Sequence, residues 1–285
     1  MNVAPAISEA VARCAERLAE VGIESARTEA ELLVGAVVDR SRDWLFLHPD
    51  EFLSAEQQAH LTGLLARRAA REPLPYILGR AEFCGLSFRA TPAAIVPRPE
   101  TEILVEAVVA RAREVGAEVA VDVGTGCGAI AVALAKQLSE VRVIAIDTSP
   151  EALRLARDNC RAHGVADRVA LVGSDLLSAI RLEVDCVVAN LPYIRSDEFP
   201  SLQPEVRDWE PRAALDGGED GLEVIRRFSG QLLGHLRTGG FAGLEVGTGQ
   251  AGEVAKLLRA GGLGGIEVLR DYGGIERVVI GWRGG

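Results

Sequence analysis

Lysine is almost missing from this chain of 285 residues: only Lys136 and Lys256 stand among its 31 basic side chains, and the rest are arginine. That skew fits genome composition and carries no functional implication. Acidic residues outnumber basic ones, 41 to 31, for a net charge of -10. A protein that lives on a phosphate backbone usually presents a basic face, so this balance weighs against a nucleic-acid substrate. The five cysteines (Cys14, Cys84, Cys127, Cys160, Cys186) are odd in number and never form a C-x-x-C pair, and the four histidines are dispersed. Neither a disulfide framework nor a zinc site follows from such a set, and no metal is expected. No apolar run approaches the ~20 residues of a membrane span. The N-terminal stretch lacks a basic start followed by an apolar core, so it does not read as a signal peptide, and the expected location is the cytoplasm.

What is present divides in two, as the length suggests. Residues 1–73 read as a small helical domain. Ile7, Val11, Cys14, Leu18 and Val21 recur at spacings of 4, 3, 4 and 3, one face of a helix, with Gly22 as its C-cap. Ala26, Ala30, Leu33, Val34 and Val37 repeat the pattern, and Ser54 with Gln57 forms a capping box for a third helix that Pro73 stops. Residues 74–97 hold two short apolar segments around Gly85 and read as a β-hairpin linker. From about residue 98 to 285 helices and strands alternate, which implies a parallel α/β sheet with helices on both faces. Near the end two strands flank Asp271-Tyr272-Gly273-Gly274 and read as an antiparallel hairpin closing the sheet.

The first strand of that region runs into Gly124-Thr125-Gly126-Cys127-Gly128, whose glycines let the backbone turn tightly and approach a ligand where a Cβ would clash. The next strand ends at Asp147, 19 residues after Gly128, a spacing suited to a carboxylate that accepts from ribose hydroxyls. Asp147-Thr148-Ser149-Pro150 equally resembles a helix cap, and Gly124, Gly126 and Ala129 satisfy the relaxed dinucleotide pattern, so a dehydrogenase competes at this point. Two later features separate the readings. Asp175 follows the third strand, where it could take an adenine amino group. The fourth strand ends in Asn190-Leu191-Pro192-Tyr193, for which a dehydrogenase or a pure nucleotide-binding module has no use.

This tetrapeptide resembles the (Asp/Asn/Ser)-Pro-Pro-Tyr motif of class I S-adenosylmethionine-dependent methyltransferases acting on planar nitrogens. Such a nitrogen is a poor nucleophile because its lone pair is delocalised. The Asn190 oxygen and the carbonyls of the turn can accept its N–H hydrogens, hold it in line with the methyl group and favour the charge that develops on it. Pro192 donates no N–H and keeps Leu191 extended, and Tyr193 can stack on the planar group. Leu191 stands where the motif usually has proline, so the turn loses one rigid residue but keeps that carbonyl.

Further blocks narrow the resemblance. Pro73 to Gly79, Glu82 to Leu86, and Pro97-Arg98-Pro99-Glu100-Thr101-Glu102 closely resemble the linker of bacterial release-factor glutamine N5-methyltransferases, the PrmC/HemK family. Glu205 to Arg212, Leu215 to Leu222, Glu245-Val246-Gly247 with Gln250, and Asp271 with Arg277 match its later parts. The resemblance covers about residues 10–282. It implies a class I Rossmann-like methyltransferase fold and methyl transfer from S-adenosylmethionine to the glutamine of the Gly-Gly-Gln tripeptide of class 1 peptide chain release factors. Gly124 to Gly128 would wrap the methionine part of the cofactor, Asp147 would bind its ribose, and Asp175 and Leu176 would flank the adenine. Asn190 to Tyr193 would hold the substrate amide, while Phe83, Arg98, Glu100 and Thr101 would line the cofactor-side wall and the entrance. The helical domain and the loop of residues 194–221 would grip the release factor. The alternatives are an adenine-N6 nucleic-acid methyltransferase and a glutamine methyltransferase acting on a ribosomal protein, whose family usually has Ser-Pro where Pro99 to Glu102 stand here.

Overall fold

The computed structural model describes residues 5–285, so the first four residues of the expected helical domain lie outside the described part. Two compact units divide the chain: residues 1–79 with 204–209, and residues 80–203 with 210–285.

The first unit contains α1 (Ile7–Glu20), α2 (Ala26–Val38), α3 (Arg42–Leu47), α4 (Ala55–Ala69) and α5 (Leu74–Leu78). The expected apolar stripe of α1 is buried at Ile7, Val11, Cys14 and Leu18, against Ala30, Leu33 and Val34 of α2. Gly22 follows the helix with φ +77°, a left-handed conformation natural to glycine. The capping box opens α4: the Gln57 amide N–H donates to Ser54 Oγ at 3.1 Å and the Ser54 N–H donates to Gln57 Oε1 at 2.8 Å. Residues 74–78, expected to begin the hairpin linker, are helical instead. Pro73 caps the turn, Pro75 lies in it with φ suited to a helix start, and left-handed Gly79 ends it.

A short helix far along the chain completes this unit. The helix of Pro204–Trp209 comes after the Asn190–Tyr193 tetrapeptide in sequence but clusters with residues 1–79. Arg68, only 4% exposed, donates through Nε to Glu29 at 2.5 Å and through Nη1 to Glu205 at 2.9 Å. Arg71 adds a 2.7 Å bond to the other Glu205 oxygen. Arginine suits this position because its planar fork can serve two carboxylates at once.

The second unit begins with the hairpin β1 (Arg80–Phe83) and β2 (Leu86–Arg89), turning at Cys84-Gly85. It continues through α6 (Pro99–Glu114), β3 (Val119–Val123), α7 (Ala129–Gln137), β4 (Arg142–Asp147), α8 (Pro150–Ala162), β5 (Val169–Gly173) and β6 (Val184–Ala189). Taking the Pro204–Trp209 helix as α9, the unit ends with α10 (Glu223–Leu232), β7 (Leu236–Glu245), α11 (Ala251–Ala260), β8 (Gly264–Arg270) and β9 (Glu276–Trp282). The seven-stranded sheet has the order β5-β4-β3-β6-β7-β9-β8, parallel from β5 to β7 and antiparallel in the last two pairings. Alternate residues of each strand feed opposite faces. Ala120, Val143, Cys186 and Val188 pack with α6 and α7, while Val121, Ile146, Val187 and Ala189 pack with α10 and α11. The terminal hairpin closes on β7, a strand whose glycines hid it in the sequence. Gly243 there is needed for packing, since a Cβ would sit 3.0 Å from a Val108 methyl of α6.

The Arg68–Glu205 pairing generates a stability prediction. Glu205→Ala leaves a buried guanidinium with Glu29 as its remaining carboxylate partner, and the helical unit should lose about 3 kcal/mol. Urea unfolding followed by far-UV circular dichroism checks this, and an unchanged midpoint contradicts it.

Candidate active site

The ends of the parallel strands assemble the site because their register brings particular residues level with one another. Val123 of β3 pairs with Ile146 of β4 on one side and Ala189 of β6 on the other. Gly124, Asp147 and Asn190, each the residue that follows in sequence, therefore emerge side by side. This is the carboxyl edge at which open α/β sheets bind ligands.

The glycine turn folds over β4: the N–H groups of Gly124 and Thr125 both donate to the Ile146 carbonyl, at 2.9 and 2.8 Å. Gly124, Gly126 and Gly128 have φ of +76°, +56° and +83°. Gly124 and Gly126 border a cleft of about 330 Å³ that Asp147, Asp175, Leu176, Asn190, Leu191 and Pro192 also line. Its remaining walls include Ala93 to Ile95, Val123, Ile146, Pro211 and Val224. Asp147 Oδ2 accepts from the Gly126 N–H and Oδ1 from the Ser149 N–H, each at 2.9 Å, so the carboxylate is aimed by the glycine turn and the start of α8. Ser149, not Asp147, is the N-cap of that helix. Leu176 is buried with φ +50°, and Asp175 is exposed and ion-paired with Arg227, another residue of the cleft wall.

Several expected site residues face elsewhere. Thr125 turns inward and donates its hydroxyl to Asp122 Oδ2 at 2.6 Å. Cys127 is buried, with its thiol pushed up to about 12 by that burial. Gly128 permits a close helix approach, since a Cβ there would lie 3.1 Å from Ala156 Cβ. Phe83 lies in the core with Phe88 at a 6.2 Å edge-on contact. Arg98 is tied to buried Glu210 by two 2.7 Å bonds, Glu100 is exposed on the first turn of α6, and Thr101 is buried. Phe83, Arg98, Glu100 and Thr101 do not border this cleft.

The turn of Asn190 to Tyr193 has two sides. Asn190, Leu191 and Pro192 face the 330 Å³ cleft, and Tyr193 lines a neighbouring cavity of about 660 Å³ with Arg195, Gly247, Gln250 and Arg277. The smaller cleft holds the glycine turn and the strand-end carboxylates, which makes it the candidate site. Gln250 clamps the turn by donating Nε2–H to the Tyr193 carbonyl at 2.9 Å while its Oε1 accepts from the Gly247 N–H. Behind the turn Tyr193 donates to Glu245 at 3.4 Å, and burial, then the Glu245 charge, pushes its phenol up. Burial also pushes the Glu245 carboxyl up, opposed by its bonds from Thr101 and Tyr193 and by the Arg277 charge.

Asp122, Glu210 and Glu245 carry structural weight at this site that sequence spacing did not single out. Each is a carboxylate within a strand or loop, and only its buried neighbours disclose what it does. Asp122 is fully buried, with Oδ2 accepting from Thr125 and Ala131, and Oδ1 is unpartnered.

Two family models match the chain: the PrmC N-terminal domain over residues 9–79 and the methyltransferase small domain over residues 99–202. Release factor glutamine methyltransferase of Geobacter sulfurreducens is 47% identical over 210 residues, 73% of this chain and 72% of the relative. The enzyme of that name from Clostridium acetobutylicum is 34% identical over 282 residues, 98% of this chain and 99% of the relative. The chain belongs to the release factor glutamine methyltransferase family. Its fold is that of class I methyltransferases. One solved example is the Thermus thermophilus 16S rRNA N2 G1207 methyltransferase, in complex with AdoMet and guanosine. It has a TM-score of 0.53 at 18% identity and covers 72% of this chain and 49% of that one.

A cofactor of the family's kind asks for an apolar slot for a base, a carboxylate for sugar hydroxyls and a floor without side chains. Ile146, Leu176 and Val224, the aimed Asp147, and Gly124 meet those needs. A Cβ on Gly124 would project to 3.5 Å from the Asn190 carbonyl and the Leu191 side chain.

Asp122 gives the family member a pH signature. Desolvation lifts its carboxyl from 3.8 to about 7 against the opposing bonds from Thr125 and Ala131. The folded chain then holds a proton that the unfolded chain releases, so stability falls as pH rises between those values. The ligand-free protein should lose stability relative to Asp122→Asn between pH 5 and pH 8 in urea titrations. A difference that stays flat across that range contradicts the assignment.

Proposed function

We propose that the chain transfers a methyl group from S-adenosylmethionine to the side-chain amide nitrogen (N5) of the glutamine in the Gly-Gly-Gln tripeptide of class 1 peptide chain release factors, in the cytoplasm. Family membership over nearly the whole chain supports the reaction class and the substrate. The observation that carries the chemistry is the placement of Asn190 beside Gly124 and Asp147 at one strand edge. No described helix is long and apolar enough to cross a membrane.

S-adenosylmethionine supplies an electrophilic methyl group on a sulfonium sulfur. Asp147 would accept from the ribose hydroxyls, Leu176 and Ile146 would flank the adenine, and Asp175, paired with Arg227, would take its amino group from the rim. Gly124 and Gly126 let the backbone approach the methionine part. Asn190 Oδ1 and the carbonyls of the Asn190–Pro192 turn accept the two N–H hydrogens of the glutamine amide, which aims the nitrogen at the methyl group. Those acceptors strengthen their hold as positive charge grows on the nitrogen, so their effect falls mainly on kcat. Asn190 and the turn carbonyls would hold the nitrogen as it takes the methyl carbon and loses one N–H proton to water, while the leaving sulfur would keep the electron pair of the S–C bond.

Purified protein should label a recombinant release factor from methyl-labelled S-adenosylmethionine. It should not label the factor whose Gly-Gly-Gln glutamine is alanine, nor an adenine-containing duplex. Asn190→Ala should lower kcat about 100-fold or more, as loss of one such hydrogen-bonding group does elsewhere. Label on the duplex would move the chain to the nucleic-acid reading, and label on a ribosomal protein alone to the other glutamine reading.

A further inference from the structure

The Asn190 carboxamide could face the cleft with its oxygen or its NH2 group, and only the oxygen can accept from a substrate amide. Two buried residues outside the tetrapeptide decide which. Asn190 Nδ2 lies 3.2 Å from Thr101 Oγ1, and Thr101 Oγ1 lies 2.5 Å from Glu245 Oε2. Thr101 is 4% exposed and Glu245 2%. A carboxylate only accepts, and a threonine hydroxyl has a single proton to give. With Glu245 ionised, the form that the bonds from Thr101 and Tyr193 and the Arg277 charge favour against its burial, Thr101 donates to it and meets Asn190 solely as an acceptor. That forces the NH2 of Asn190 toward Thr101 and leaves Oδ1 for the cleft. The other Glu245 oxygen accepts the Tyr193 hydroxyl, so one carboxylate holds both ends of the tetrapeptide. The sheet supplies the placement: Ala189 and Leu244 are paired neighbours, which makes Asn190 and Glu245 neighbours too.

We propose that Thr101 and Glu245 are positioning residues that fix the amide orientation of Asn190 for methyl transfer. The kinetic consequence rests on the function proposed above, but the orientation itself does not. Glu245→Gln offers Thr101 an NH2 donor, which frees the threonine proton to point at Asn190 and favours the reversed amide. Thr101→Val removes the relay without changing the side chain's size, and Thr101→Ser restores the hydroxyl.

Two readouts test this on the full chain. The first is NMR of protein labelled with nitrogen-15 in the asparagine side chains. The chain has three asparagines, and Asn159, which donates to the Cys127 carbonyl at 2.8 Å, serves as an internal reference. Asn190 should show one slowly exchanging side-chain N–H in wild type. Thr101→Val should lose that protection while the Asn159 signals stay in place, and Thr101→Ser should regain it. The second readout is kinetic, with a release factor as substrate. Glu245→Gln and Thr101→Val should lower kcat about 30-fold with KM within about twofold, Thr101→Ser should recover most of it, and Asn190→Ala should add little to Thr101→Val. An Asn190 side chain that exchanges freely in wild type overturns the proposal whatever the activity. Full kcat in Thr101→Val and Glu245→Gln overturns it too. A protected Asn190 in a wild type that labels no release factor sustains the orientation and defeats the substrate assignment instead.

Discussion

Parallel pairing of β4, β3, β6 and β7 sets which residues stand together at the carboxyl edge of the sheet. Ile146, Val123, Ala189 and Leu244 lie in one row across the four strands, so the next row is Asp147, Gly124, Asn190 and Glu245. A slip of one residue in any pairing would turn the wrong side chains outward. The buried aliphatic rows on both faces of the sheet hold that register. The chemistry proposed for this chain depends on the row, because the groups it invokes are few and each must arrive within hydrogen-bonding distance of its partners.

The row also explains why so many carboxylates are buried near the cleft. Asp122, Glu210 and Glu245 are each at most 7% exposed, a costly placement for an ionisable group. Each holds a backbone segment or side chain at or next to the site: the Thr125 turn, the Val96–Arg98 segment, and the Thr101–Asn190–Tyr193 set. The turn itself is clamped from outside by Gln250 and by Gly221, where a Cβ would lie 2.5 Å from the Tyr193 carbonyl. Leu191 supplies less backbone rigidity than a proline would. Its side chain is buried among the apolar residues under α10, which holds the turn by packing instead.

Much of this was legible in the residues. The strand-helix alternation, the glycine turn, Asp147, Asp175 and the tetrapeptide all lie where local pattern placed them, because each depends on backbone conformation at a strand end. The parts that were not legible depend on distant partners. The β7 strand was masked by Gly239, Gly240 and Gly243, which serve close packing and turns rather than strand propensity. The helix at Leu74–Leu78 needed its caps to outweigh two prolines that suggested an extended linker. Phe83 and Arg98 carry no local mark distinguishing a cleft wall from a core ring or a buried ion pair. Glu245 and Thr101 lie 144 positions apart, and no spacing rule links them.

The central claim is that the row places Asn190 to hold one particular nitrogen. It is tested most directly by tandem mass spectrometry of a release factor after turnover with deuteromethyl S-adenosylmethionine. The account predicts a single deuteromethyl group on the side-chain nitrogen of the Gly-Gly-Gln glutamine, with the backbone and every other residue unmodified. A deuteromethyl group on a carboxylate, a backbone nitrogen or a different residue would contradict it.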